Sequence, residues 1–542
     1  MDNKYKKADY IFINGQIITV NEQNEIVSAV VVSDNKIAYA GSDQEALTYA
    51  VPETIVMDLS GKTLTPGFID AHCHTALTGL IRHAFVDISP EAAPAINDLL
   101  SIVESHAKNA EPGKWIVFWG YDEIRMADKR HPRLDEIDRL TPNNPVLVGR
   151  CDGHTGLYNS KAMEACNINP DTISKYNQLE VQMEGGKLNG LFSDRAYYDM
   201  WNFIEIDPDA VVSGLKVESD INVRFGVTSV HDAGGYGKIT NRGYKNAIDQ
   251  GLFKLRVTPM SFSMLGKESY LKDTRNYAEL GLGTYMGNNR LKFGLLKIMI
   301  DGGSSLPSCA VKEAYSHKPD DYGTLAMAPE EVEEIVLDLH KTGHQVAAHV
   351  VGDRAVEIFL DAIEKAQKAY PRKDCRHRIE HGCVMNDQLI ARVKALGVIP
   401  IPNPRFIHLN GDRYTTFFGE RVRTLFPMKS YLETGIPCAI GTDNPIISEN
   451  PLLGVSSSLS RKSSTGAEVG SEQRVGILDA IRMYTYNGAH AAFDENKLGS
   501  IEPGKLADLA VFDGDLLNAS PEELEKTECI LTMIDGEIVY QK

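Results

Sequence analysis

Hydrophobic positions along this chain follow two rhythms. At both ends, short apolar runs are cut by turn signals. Tyr10-Ile11-Phe12-Ile13 stops at Asn14-Gly15, a pair suited to the left-handed backbone of a tight hairpin. Ile17-Ile18-Thr19-Val20, Ala29-Val30-Val31-Val32 and Ile37-Ala38-Tyr39-Ala40-Gly41 follow. Near the other end, Ala510-Val511-Phe512 precedes Asp513-Gly514, and Ile530-Leu531-Thr532-Met533-Ile534 precedes Asp535-Gly536. Both ends read as all-β and are expected to pair into one small β-sandwich, 1–60 with 500–542.

Between them the rhythm changes to strand and helix in alternation, the mark of parallel α/β architecture. Strands are expected at Leu64 to His74, Thr228 to His231, Leu255 to Thr258, Leu295 to Ile300, Val346 to Val350, Arg378 to His381, Val398 to Ile401 and Cys438 to Gly441. Helical patterns such as Pro329 to Thr342 and Asp353 to Ala369 lie between them. Eight such strands predict a (β/α)8 barrel over 61–84 and 216–499. The first two strands are about 150 residues apart, too far for a plain connection. Residues 85–215 therefore read as an inserted subdomain over the barrel mouth.

Composition narrows the function classes. The 56 basic and 74 acidic residues leave a net charge of −18. That disfavours nucleic acid and anionic membrane surfaces as partners. The eight cysteines are scattered without a CxxC pair, which suits a reducing compartment. Residues 1–10 lack the apolar core of a secretory signal, and no stretch approaches the ~20 apolar residues of a membrane span. A cytoplasmic protein acting on a small molecule is expected.

The candidate chemistry starts at His72-Cys73-His74, which ends the first barrel strand. Residues two apart on a strand share a face, so both imidazoles can grip one metal ion, while Cys73 points away. Catalytic groups of such barrels sit at the C-terminal strand ends. Further metal-capable groups stand there: Lys297, His349, His381 and Asp443. Taken singly, His349 reads more readily as a satisfied core histidine, and Asp443 can simply cap a turn. At the sixth strand end Glu380 or His377 competes with His381. Their order, with one or two groups at each of five strand ends, is what points to a metal centre.

Lys297 interrupts an apolar strand, where an ammonium is costly unless paired. Burial near cations favours the neutral amine, which can add CO2 to give a carbamate able to bridge two metals. A structural ion pair with Asp301 or another acid is the other reading. Two bridged cations ~3.5–4 Å apart would hold hydroxide between them, with Asp443 shuttling its proton to a leaving amine. Imidazole and carboxylate ligands suit Zn²⁺, with Fe, Mn and Co as alternatives.

These motifs resemble the amidohydrolase superfamily, in particular the branch called amidohydrolase family 3 or YtcJ-like. The run Thr65-Pro66-Gly67-Phe68-Ile69-Asp70-Ala71-His72-Cys73-His74 is typical of the superfamily. Lys297 to Gly302, Ala348 to Ala355, Arg378 to His381, and Asp152-Gly153-His154 with Asn159-Ser160-Lys161-Ala162 resemble blocks of the branch. Leu498 to Leu509 matches the entry to its C-terminal β-part. The resemblance covers nearly the whole chain. It implies a metal-bearing barrel, a β-sandwich from both termini and hydrolysis of C–N bonds, with N-substituted formamide deformylation among the activities of the branch. One departure is Gly303-Ser304-Ser305-Leu306-Pro307-Ser308-Cys309, which lacks the arginine usual after the lysine block. Specificity is expected to differ there.

Trp119, Tyr121, His154 and Asp301 are the expected substrate contacts, His154 to orient a carbonyl oxygen or carboxylate. Trp119 and Tyr121 equally suit the core of the insertion. A homodimer is the expected oligomer. Two further functions stay open: a mononuclear heterocycle deaminase using His72, His74, His349 and Asp443, with His381 as polariser and Lys297 idle, and a non-catalytic binding or regulatory barrel.

Overall fold

The computed structural model describes residues 7–169, 171–176, 178, 180–234, 238–261, 276, 283–305 and 307–542. Leu306, within the departing segment, lies outside them. Seven parallel strands follow one another around the centre: Phe68–Cys73, Val227–Asp232, Arg256–Ser261, Leu295–Met299, Gln345–Val350, Arg378–His381 and Ile399–Ile401. The helices between them turn one apolar stripe inward. Pro329–Lys341 buries Val332, Ile335, Val336 and Leu339, and Asp353–Ala369 buries Val356, Phe359, Leu360 and Ile363. This is the spacing that sets one helical face against a sheet.

The eighth expected strand, Cys438 to Gly441, is not a regular strand. It nevertheless bridges the last strand to the first. Ala439 and Gly441 donate their amides to the carbonyls of Pro400 and Pro402, and Ile440 accepts from Ala71. The two prolines have no N–H to return, so only half of a parallel ladder can form.

The chain ends meet in one sheet. Glu537–Gln541, Cys529–Ile534, Leu509–Phe512, Thr63–Pro66, Gln16–Ile18 and Ile26–Val27 form six strands in that order. A four-stranded sheet, Lys36–Gly41, Ala29–Ser33, Tyr10–Ile13 and Ile55–Asp58, shares a core with it through Phe12, Val30, Val32, Leu64, Val511 and Met533.

Residues 86–193 carry a separate six-stranded sheet, running from Val181–Glu184 at one edge to Val86–Asp87 at the other. Val117 and Trp119 face one apolar core; Ile116 and Phe118 face the other. The segment is tied to the barrel by two crossing helices, Thr75–Ala84 and Pro208–Asn222. They approach at Gly79 and Gly214, where a Cβ on either would meet the other's backbone at 2.5 Å. No helix among the described residues is long and apolar enough to cross a membrane.

Candidate metal centre

The strand ends bring His72, His74, Lys297, His349, His381 and Asp443 to one place. A carboxylate oxygen of Asp443 lies 3.4 Å from His72 Nε2 and 3.3 Å from His74 Nε2. Lys297 Nζ lies 3.4 Å from His72 Nε2. The His381 ring is centred 4.7 Å from that of His72 and 4.6 Å from that of His349. Ligand atoms of His72, His381 and Asp443 all fall within 4.8 Å of one another. Cys73 points away, as alternation requires, into the main core. His381 and Asp443 have φ of 72° and 62°, a left-handed backbone that costs non-glycine residues energy and clusters at functional sites.

Outer partners decide which nitrogen of each imidazole faces inward. Carboxylate and carbonyl oxygens only accept, so the nitrogen bonded to one must carry the proton. His72 Nδ1 donates to Glu380. His74 Nδ1 donates to Gly234 O at 2.9 Å, and His349 Nε2 to Gly302 O at 3.2 Å. His381 Nδ1 donates to Asn403 Oδ1 at 2.7 Å, while the Asn403 amide donates to Gly441 O. In His349 and His381 the remaining nitrogen keeps its lone pair, while Nε2 of His72 and of His74 faces the Asp443 carboxylate. This is the outer support that metal-binding imidazoles need, and the residues present fit a divalent metal.

The electrostatics agree for His349 and His381; at His72 burial and Lys297 lower the pKa, but Glu380 and Asp443 outweigh them and raise it. Burial and neighbouring cationic groups push His349 well below its ordinary range and His381 down to about 3, which favours neutral rings. Burial also lowers Lys297. Burial alone would raise Asp443, but hydrogen bonds from His72 and His74 hold it well below the usual carboxylate range. Glu380 is likewise held low because Arg378 and His72 outweigh its burial.

The amidohydrolase family model matches residues 55–540. The chain belongs to the amidohydrolase family. It is 28% identical to an N-substituted formamide deformylase of Arthrobacter pascens, covering 98% of both chains. It is also 28% identical to the putative amidohydrolase YtcJ of Bacillus subtilis, covering 98% of this chain and 99% of that one. Its fold is similar to that of an uncharacterized metal-dependent hydrolase from Pyrococcus horikoshii OT3. The TM-score is 0.76 at 24% identity, over 95% of this chain and 99% of the other. This amidohydrolase is thus a hydrolase acting on C–N bonds.

The remaining expected site residues of this family member divide. His154 lines a recess of about 50 Å³ with His349, His381 and Asp443. Its Nδ1 lies 3.0 Å from both Asp194 and the Tyr198 hydroxyl. Hydrogen bonding to Asp194 outweighs burial, so its pKa rises. Trp119 lines a larger adjoining cavity. Tyr121 does not line the mouth: it is buried in the insertion's second core, its hydroxyl 3.0 Å from His131 Nδ1. The cause is local. Gly120, at φ 109°, sits in a bulge that shifts the register between Trp119 and Tyr121 and turns Tyr121 to the opposite face. Asp301 is not a substrate contact either. Fully buried, it accepts amides from Ala310, Val351 and Gly352 at 2.8–3.0 Å and so ties two loops to its own strand end. Burial raises it to about 7.

Sequence reasoning overlooked Asn403, the polar residue between Pro402 and Pro404 at the seventh strand end. It also considered Glu380 only as a competitor of His381, whereas both take part in the cluster. His377 lies elsewhere, with His340 and Cys375. That trio does not suit a metal. Val346 N–H donates to His377 Nδ1, so His377 Nε2 carries the proton, and it is hydrogen-bonded to His340 Nδ1 at 2.9 Å.

Proposed function

We propose that this chain hydrolyses an amide-type C–N bond of a small molecule at a divalent metal centre held by His72, His74, His349, His381, Asp443 and a carboxylated Lys297. Zn²⁺ suits that donor set. The observation behind this reading is the set of four inward-facing imidazole nitrogens, each ring fixed by an outer acceptor. When bound, the metal supplies Lewis acidity at neutral pH.

The chain's own groups do the rest. Asp443 stays ionised and touches both His72 and His74, so it can take a proton from the nucleophilic water and return it to the leaving nitrogen. His154, whose raised pKa favours a proton-donating form, faces the same recess and orients the substrate's carbonyl oxygen. Trp119 forms part of the wall beyond it. The organisation that goes with this reading is a composite β-part from 1–60 and 500–542, a barrel from 61–84 and 216–499, and a covering insertion from 85–215. It acts in the cytoplasm as a homodimer.

The test is metal analysis combined with a library of N-acyl amides, esters and cyclic amides, with Asp443→Asn as control. Metal-dependent amide turnover that falls by about 10²-fold or more in the variant is the expected result. Absence of metal-dependent turnover for every member would instead support a binding barrel.

A further inference from the structure

Beyond the metal cluster, the recess adjoins a second cavity of about 750 Å³. The two share Asp152, Ser305 and Ile446 as walls, so a ligand can extend from one into the other. A volume of this order holds a drug-sized molecule. One helix, Arg405–Phe418, serves both chambers. Phe406 lines the inner recess, while Leu409, Asn410 and Arg413 line the outer cavity. These positions are i, i+3, i+4 and i+7, one face of the helix. At 1.5 Å rise per residue, Arg413 stands ~10 Å further out than Phe406.

Four arginines line this cavity, and three are already engaged. Arg82 donates to Glu218 and Glu449, Arg125 to Glu91, and Arg150 to Asp122, Glu123 and Asp152. Among the described residues, Arg413 has no carboxylate within ion-pair distance. The wall of the same cavity includes apolar Leu409, Phe85 and Trp119.

We infer that the substrate carries a carboxylate separated from its scissile carbonyl by an apolar segment, and that Arg413, ~10 Å beyond Phe406 along the helix, receives it. A guanidinium fork matches a carboxylate in two parallel hydrogen bonds. This rests on the hydrolase reading and names its substrate class. Asp87, in the same cavity, accepts the Ser89 amide and has no cationic partner among the described residues. It is the group that a cationic tail would favour instead.

The experiment uses three N-acyl amides of equal length, ending in a carboxylate, a neutral carboxamide or an ammonium. Both kcat/KM and equilibrium binding of the same compounds by calorimetry are measured. Wild type should prefer the carboxylate by about 10–100-fold, the worth of one charge-assisted hydrogen-bonded pair. The preference should reside mainly in KM and shrink with added salt. Arg413→Gln should bring the carboxylate-to-carboxamide ratio near one, and Arg413→Lys should keep part of it. Equal treatment of the two tails by wild type, survival of the preference in Arg413→Gln, or a preference for ammonium would overturn the inference. Carboxylate-selective binding without turnover would count against hydrolysis and leave Arg413's role standing.

Discussion

Glu380 accepts the Nδ1 proton of His72 from deep inside the barrel, with no solvent exposure of either side chain. The same carboxylate takes two hydrogen bonds from Arg378, at 2.7 and 3.1 Å, and Arg378 in turn binds Ala71 O and His231. Removing the charge therefore acts twice. Glu380→Gln weakens the support of a metal-facing imidazole, which lowers metal affinity by about 10–100-fold. It also leaves the buried Arg378 without a carboxylate, costing about 3–5 kcal/mol. A competitive chelator titration and a thermal unfolding scan measure the two effects. Unchanged metal affinity in a folded variant would remove Glu380 from the centre.

Lys297 separates the two-metal and one-metal readings. If its amine becomes a bridging carbamate, the wild type holds two metals per chain and needs CO2 for full activity. Lys297→Met then holds at most one and loses about 10²-fold or more in rate, since a two-metal clamp is lost. Metal analysis with and without bicarbonate during loading reads this directly. One metal per chain in both forms, with activity kept, would favour the mononuclear deaminase.

The metal cluster was legible because strands alternate and a barrel gathers its strand ends: His72, His74, His349, His381 and Asp443 needed only those two rules. Their outer partners were harder. Asn403 and the carbonyls of Gly234 and Gly302 matter through three-dimensional pairing across strands, which residue type does not announce. Position in the insertion did not separate Tyr121 from Trp119, because one bulge at Gly120 turns Tyr121 to the opposite face. Residue type did not settle Asp301, where a polar residue beyond a strand end serves three loop amides rather than a ligand. The eighth strand was placed correctly in space, but two prolines in its neighbour's path prevent a regular ladder.

The crossing of Thr75–Ala84 over Pro208–Asn222 tolerates no side chain at its closest point. Gly214→Ala would force the helices apart by pressing a methyl against Gly79's backbone, a cost of about 1–3 kcal/mol. The first of these helices begins immediately after His74, so the displacement reaches the metal cluster. Lower thermal stability together with weaker metal binding is the expected pair of results. Loss of stability with metal affinity intact would uncouple the helix crossing from the site.

Acid sensitivity should have an identifiable source near the C-terminal part of the chain. Glu495 receives hydrogen bonds from Arg376 at 2.8 and 3.1 Å and lies 3.4 Å from His490. Burial alone would raise its pKa, but His490 and Arg376 outweigh it and pull it down to about 2 from an ordinary 4.5. A carboxylate with a depressed folded-state value stabilises the fold above its unfolded value. That contribution disappears as pH falls through the folded one. Partial exposure screens the pair, so about 1–2 kcal/mol is expected at neutral pH. Glu495→Gln should therefore be less stable than wild type at pH 7 by that amount. The gap should close between about pH 5 and pH 2. Unfolding midpoints of both proteins across that range test this, and a gap independent of pH would show that the loss comes from packing and not from charge.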